Sequence, residues 1–372
     1  MIKKIFIIAG ESSGDMHGAN LIKALLKIDK DVKIKGFGGE KMSAAGMEVV
    51  RGLDKLSLVG FVEIVKHLKT IKENFDIAKK EIQSFQPQVL VLIDYPGFNL
   101  RMAKWAKSHN ITVYWYIAPQ VWAWGKKRLK KMKKYIDKLF VILPFEKEFF
   151  SKAGIDTVYT GHPLLEEVAS FTMETDFLIK NNIPVHKKPV AFFPGSRISE
   201  VKRNISPVKE VIKNNPHLFF LVAAPSSLPA ESFEELQGYE NVKILYDKNY
   251  EILTVADAGI IKSGTSTLEA ALFDLPQVVI YKVNFLSYLI IKYMVKIKFA
   301  SLVNLILGKE AVKELLQKNC NPRDIGYHLN KLFEEKTRNR ILHDYQLLKE
   351  KLHSEDFASG VVAKAIMDKL KN

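Results

Sequence analysis

The chain has 372 residues, 47% of them hydrophobic and 26% charged, and its 56 Lys and Arg against 41 Asp and Glu give a formal net charge of +15 at pH 7. That length and balance exclude a disordered chain and predict two compact domains of a globular enzyme. The single cysteine, Cys320, excludes an intramolecular disulfide framework and reads as a buried bystander thiol. The positive charge predicts an anionic partner: nucleic acid, a nucleotide or an anionic membrane surface.

Residues 4–9 begin the chain as a short apolar strand, which breaks into Gly10-Glu11-Ser12-Ser13-Gly14-Asp15 and then a helix with Leu21, Ile22, Leu25 and Leu26 on one face. The run is too short for a secretory signal and leads into acidic residues instead of a cleavage site. Two carboxylates, Glu11 and Asp15, would repel a phosphate, and G-x-G-x-x-G spacing is absent, so this turn predicts polar chemistry and not dinucleotide binding. Strands are expected at 33–37, 89–94, 112–117, 138–142 and 157–160, with helices between them including 63–85 and 100–108. That alternation predicts a doubly wound sheet over residues 1–165. Asp94 ends a buried strand, where a carboxylate can serve as general base or, with Pro96 and Gly97 beside it, simply form a turn.

Residues 56–68 read as a docking helix for a lipid surface or as a core helix. The basic run at 126–134 follows Val121-Trp122-Ala123-Trp124 and suits either an interfacial helix or a solvated face. No apolar window, including 89–93, 278–281 and 285–291, approaches the roughly 18 residues of a membrane span. His17, His109 and His162 lack i, i+4 partners, so no metal site is expected.

Residues 166–188 read as a linker, ending in Pro184, Lys187, Lys188 and Pro189. A second doubly wound domain is expected at 189–345, with strands at 189–193, 218–223, 242–246, 258–262 and 277–281. Its first loop, Pro194-Gly195-Ser196-Arg197, offers amides, a hydroxyl and a guanidinium suited to a diphosphate. Ser263-Gly264-Thr265 opens a helix whose N-terminus favours phosphate, and Glu269 one turn on could accept from ribose hydroxyls. Each loop also reads as an ordinary capping turn. The final stretch, 346–372, is expected to cross back to the first domain.

Taken together, these segments resemble the lipid-A-disaccharide synthases. The resemblance covers nearly the whole chain and rests on the glycine-rich turn at 10–15, Gly36-Phe37-Gly38-Gly39 with Met42, the stretch 56–60 with Val62-Glu63, Ile93-Asp94 to Asn99, and Pro119-Gln120-Val121-Trp122-Ala123-Trp124. It continues through Leu143-Pro144-Phe145-Glu146-Lys147, Gly161-His162-Pro163, Pro194-Gly195-Ser196-Arg197 and Ser263-Gly264-Thr265. It implies an inverting glycosyltransferase of the α/β GT-B type, with two Rossmann-like doubly wound domains facing a central cleft. The implied reaction moves a 2,3-diacylglucosamine unit from its UDP donor to the 6-hydroxyl of 2,3-diacylglucosamine 1-phosphate, giving a β-1′,6-linked disaccharide and UDP.

By the same resemblance Asp94 stands at the proposed base and Glu11 at an essential carboxylate, with the choice of base between them open. Gly195, Ser196, Arg197, Ser263, Gly264, Thr265, Glu269 and Asn304 fall on the donor side. Ser13, Asp15, His17, Gln120 and Trp122 fall on the acceptor side. Gly97, Gly125 and Val303 depart from the usual pattern, which has Asp, Arg and Pro there. No cofactor and no metal is implied. The expected partners are the two acylated sugars and an anionic membrane surface, with no nucleic acid; a homodimer with exchanged C-terminal segments is a family-based expectation. The expected place is the cytoplasm, peripherally on the inner membrane. Other UDP-sugar enzymes of this fold, a peptidoglycan-type N-acetylglucosaminyltransferase or an epimerase, would share the nucleotide half. A basic scaffold without chemistry has only the charge in its favour.

Overall fold

A computed structural model of the chain describes residues 2–56, 68–123, 125–283 and 298–371. Residues 57–67 of the stretch read as a docking or core helix, Trp124 and the apolar window 285–291 lie outside the described residues. The chain divides into two compact units, Met1–Glu166 with Leu352–Asn372, and Glu167–Lys351.

The first unit is built on seven strands: β1 (Lys4–Ala9), β2 (Lys33–Phe37), β3 (Glu48–Arg51), β4 (Val89–Ile93), β5 (Thr112–Tyr116), β6 (Lys138–Val141) and β7 (Thr157–Tyr159). They lie in the order β3-β2-β1-β4-β5-β6-β7, every pair parallel. Alternation along β1 sends Ile5, Ile7 and Ala9 to one face, against Leu21, Ile22 and Leu25 of the helix Ser12–Ile28. Phe6 and Ile8 go to the other face, with Met102, Ala103 and Ala106 of the helix Pro96–Lys107. Both faces are covered, which is why the central strands read as unbroken apolar runs.

The last helix, Ala358–Lys371, belongs to this unit. Its Ala358, Val362, Ala363, Ile366 and Met367 recur at helical spacing and are buried in the same core as β1. Hydrogen bonds fasten its approach: the Tyr159 hydroxyl donates to the Leu352 carbonyl (3.1 Å), and the Ser359 hydroxyl donates to the Glu166 carboxylate (2.8 Å).

The second unit holds β8 (Lys188–Phe193), β9 (Leu218–Ala224), β10 (Val242–Tyr246), β11 (Ala258–Lys262), β12 (Gln277–Tyr281) and β13 (Lys313–Leu316). Their order is β10-β9-β8-β11-β12-β13, again all parallel. The segment 166–188 is more than a linker. It carries the end of the helix Leu164–Ser170 and the whole of Phe177–Lys180, and Phe177 and Ile183 are buried in the second core. The helix Glu335–Leu352 runs unbroken through the boundary expected at 345. Its buried Tyr345 donates to the Leu275 carbonyl and accepts from Gln277 Nε2, both at 3.0 Å.

In each sheet the strand order reverses once, between β1 and β4 in the first and between β8 and β11 in the second. At such a point the neighbouring crossovers leave toward opposite faces, opening a crevice at the carboxyl ends of the two strands. Among the described residues no helix is long and apolar enough to cross a membrane. Because Ile366 is fully buried in the first core, Ile366→Ala is expected to cost about 2–5 kcal/mol. An unchanged urea midpoint for that variant would remove the last helix from the account of the first unit's stability.

Candidate active site

The loop after β4 is conformationally demanding. Asp94 and Tyr95 both take left-handed backbone angles, with φ of 44° and 49°, before Pro96 starts the next helix. Non-glycine residues adopt such angles at a cost and persist where the surroundings hold them. Here Asn99 supplies the hold: its buried amide donates to the carbonyls of Ile93 (3.2 Å) and Asp94 (2.7 Å). The Asp94 amide donates to the Tyr116 carbonyl at 3.1 Å.

Across the first switch point, the loop after β1 fits against this turn. A Cβ on Gly10 would lie 2.5 Å from the Tyr95 ring, so glycine is needed for the aromatic ring to cover the start of the loop. The Tyr95 hydroxyl donates to the Leu56 carbonyl at 3.0 Å. Glu11, at the N-cap of Ser12–Ile28, is exposed and close enough to act electrostatically on Asp94 and Tyr95. Burial, and then the Glu11 charge, push the Asp94 carboxyl up to about 6. A carboxylate tuned in this way is ionised at neutral pH and a stronger base than an exposed Asp.

The other expected first-unit residues divide by what their side chains touch. Ser13 is exposed on the first turn beside Glu11, and Gln120 is exposed after β5. Trp122 is fixed: its indole N–H donates to Glu146 Oε1 at 2.8 Å, and its ring meets Phe145 edge-on at 5.0 Å. Glu146, which sequence reading left without a role, is buried, accepts also from the Leu143 amide at 3.1 Å, and is pushed up by burial to about 7. The signal available in the sequence was its place three residues after Leu143, at the start of the helix Pro144–Lys152.

His17 is lowered to about 4 by burial and by Lys41; His162 is lowered to about 3 by burial and by His17. The pair is therefore neutral at physiological pH. Asp15 has a task other than the acceptor contact expected of it. Its Oδ1 accepts from the amides of Gly39 (2.7 Å) and Met42 (3.1 Å) and its Oδ2 from Lys41 (3.1 Å), capping the short helix Glu40–Ala44. Buried and held by three amides, it braces the loop.

In the second unit, the two expected phosphate loops line one cavity of about 210 Å³. Gly195 and Ser196 come from the end of β8, and Gly264 and Thr265 from the end of β11, with Lys262 and Ser266 between and beyond them. Gly195 and Gly264 have φ of 123° and 154°, which glycine alone adopts without strain. Arg197 caps the helix Ile198–Asn214, and its side chain is 70% exposed.

Ser263 is turned into the fold, donating from Oγ to the Ala300 carbonyl at 2.6 Å. Glu269 is partly buried and pushed up to about 7 by burial and by Glu167. Asn304 is fully buried away from the cavity: Nδ2 donates to the Val312 carbonyl and Glu314 Oε1, while Oδ1 accepts from the amides of Ala311 and Val312. All four of its hydrogen-bonding positions are occupied, so it locks the chain there and has none left for a nucleotide. Cys320 is buried and its thiol is pushed up by burial.

A family model described as lipid-A-disaccharide synthetase matches residues 5–364. The chain belongs to the lipid-A-disaccharide synthetase family. It is 34% identical over 359 residues to lipid-A-disaccharide synthase 1 of Legionella pneumophila subsp. pneumophila strain Philadelphia 1, covering 94% of each chain. It is 36% identical over 355 residues to the lipid-A-disaccharide synthase of Nitrosococcus oceani, covering 94% of this chain and 92% of that one. Among solved structures, the MnaA–UDP co-structure of S. aureus superposes with a TM-score of 0.68 at 13% identity, over 100% of this chain and 97% of that one. The glycotransferase of kitacinnamycin gives 0.68 at 14%, over 100% of both. At such identities the structures speak for the fold, the two-domain Rossmann-like GT-B architecture. The family match speaks for a hexosyltransferase.

The Asp94 environment fixes a pH dependence. With Asp94 as the base that the resemblance implies, protonation would remove it, and kcat/KM would then fall tenfold per pH unit below about 6. Because Glu11 helps hold Asp94 up, Glu11→Gln should move that acid limb to lower pH, by less than the whole displacement since burial is the larger cause. An acid limb that stays in place in Glu11→Gln would break the electrostatic link between the two carboxylates.

Proposed function

We propose that Asp94 removes the proton from the 6-hydroxyl of an acylated glucosamine 1-phosphate as that oxygen attacks the anomeric carbon of a UDP-activated acylated glucosamine. The chain is a lipid-A-disaccharide synthase by family, and the products are the β-1′,6-linked disaccharide 1-phosphate and UDP. The observation that carries the assignment is the Asp94 turn itself: a carboxylate in a constrained backbone at the first sheet's switch point, raised to about 6 by burial and by Glu11.

A hydroxyl is a poor nucleophile until its proton is taken, and a raised carboxylate can take it at neutral pH. Attack from the side opposite the leaving group inverts the anomeric centre. Departure of UDP builds charge on the diphosphate, which the amides of Ser196 and Thr265 and the guanidinium of Arg197 would stabilise. Glu11 and Ser13 face the acceptor sugar in this reading, and the Trp122 ring, fixed by Glu146, offers it a rigid apolar surface. Glu269 takes the ribose.

Both substrates carry acyl chains, so the enzyme works at a lipid surface. Support comes from the basic run: the helix Leu129–Tyr135 buries Met132 and exposes Lys130, Lys131, Lys133 and Lys134. Exposed lysines of this kind attract anionic headgroups and are screened by salt. High salt is accordingly expected to release the protein from membrane fractions in folded form, and its full recovery in the soluble fraction at low salt would argue against surface docking.

The decisive assay incubates the purified chain with both acylated sugars and follows disaccharide and UDP. Asp94→Asn should lower turnover by about 10²–10⁴-fold while leaving UDP affinity near that of the parent. Full activity in that variant would end the base assignment.

A further inference from the structure

The donor cavity contains a cation that the phosphate loops do not account for. Lys262 is the last residue of β11 and lines the cavity with Gly195, Ser196, Gly264, Thr265 and Ser266. Its ammonium lies 3.0 Å from Glu200 Oε1. The same carboxylate accepts from the Ser196 amide at 3.3 Å through Oε2 and lies 3.9 Å from Arg197 Nη1. An ammonium, a backbone N–H and a guanidinium thus converge on one pair of oxygens at the carboxyl edge of the second sheet. That is the donor set a phosphate group takes in proteins.

We propose that Lys262 grips the diphosphate of the nucleotide donor and that Glu200 competes with that diphosphate for the same donors. The proposal rests on the UDP-sugar reading above. Glu200 is set for the competition by its neighbours. It sits on the first turn of the helix Ile198–Asn214, with its side chain only 17% exposed. Gly195 makes room for it, since a Cβ there would come within 2.7 Å of Glu200 Oε2. A strand-end lysine placed beside two glycine loops adds a point charge that amides alone do not supply. Entry of the diphosphate replaces the carboxylate as partner of Lys262 and of the Ser196 amide.

The carboxylate therefore weakens nucleotide binding and keeps UDP from lingering after transfer. Such a balance favours turnover, because tight binding common to substrate and product does not speed the chemical step.

Calorimetric titration of UDP into the full chain tests both parts. Lys262→Met should raise the UDP dissociation constant about tenfold or more, the loss expected of a charged hydrogen bond. Lys262→Arg should recover most of that affinity, and Glu200→Gln should tighten UDP several-fold, with thermal midpoints close to the parent's. Unchanged UDP affinity in Lys262→Met would overturn the grip, and weaker UDP binding in Glu200→Gln would overturn the competition. A parent chain that binds no UDP would instead remove the donor reading on which the proposal rests, and the proposal with it.

Discussion

The structure depends on the fact that every strand pair in both sheets is parallel. Parallel strands need helical crossovers, and those crossovers cover both faces and leave the strand ends as the open edge. Chemistry is thereby confined to the loops after the strands, and most strongly to the pair flanking each reversal of strand order. In the first sheet that pair holds Glu11 and Asp94; in the second it holds the Gly195 and Gly264 loops. One topological rule applied twice produces an acidic edge on one unit and an edge of glycine loops with exposed amides on the other.

The two edges are built by opposite means. At the first, burial raises Asp94 and Glu146 and leaves His17 and His162 neutral, so the edge favours groups that exchange protons or hydrogen-bond without charge. Raising a carboxylate is unfavourable to the fold, and the left-handed turn at Asp94 and Tyr95 adds backbone strain. Asn99 beneath the turn and the Tyr95 ring over Gly10 hold the loop in place against that strain. At the second edge glycines bring amides close together, and the charged groups Arg197, Glu200 and Lys262 keep part of their surface in water.

Much of the fold was legible because burial on both faces writes itself into the sequence as apolar runs. Val89–Ile93 and Leu218–Ala224 are fully buried and were plain from composition alone. Of the four edge strands among the described residues, Glu48–Arg51 and Lys313–Leu316 escaped notice because each is four residues long with a charged residue at or beside its start, too little apolar run to stand out. The segment 166–188 read as a linker because its helices are short and its apolar residues, among them the core anchors Phe177 and Ile183, form only brief runs with no strand or helix periodicity. Glu146 was hidden for a related reason. A glutamate near a helix start normally caps in solvent, whereas here it is buried and accepts from both the Trp122 indole and the Leu143 amide.

Motif residues separate by the hydrogen-bonding capacity the fold leaves them. Asp15 and Asn304 stand in the first turns of the helices Ser12–Ile28 and Leu302–Leu307, in motifs whose sequence marks them as functional, yet Asn304 uses all four of its positions on Val312, Glu314 and Ala311, and Asp15 is held by three amides. Such residues shape the loop that carries others. Arg197 reaches solvent with most of its surface, and Asp94 is only partly buried. A side chain can act on a ligand only with donors and acceptors that the fold has not already taken, and that inventory is written in tertiary contacts between segments far apart in the chain. For this reason a motif's importance is visible in sequence, while the division of labour within it emerges only when Asp15 is seen against Gly39 and Asn304 against Glu314.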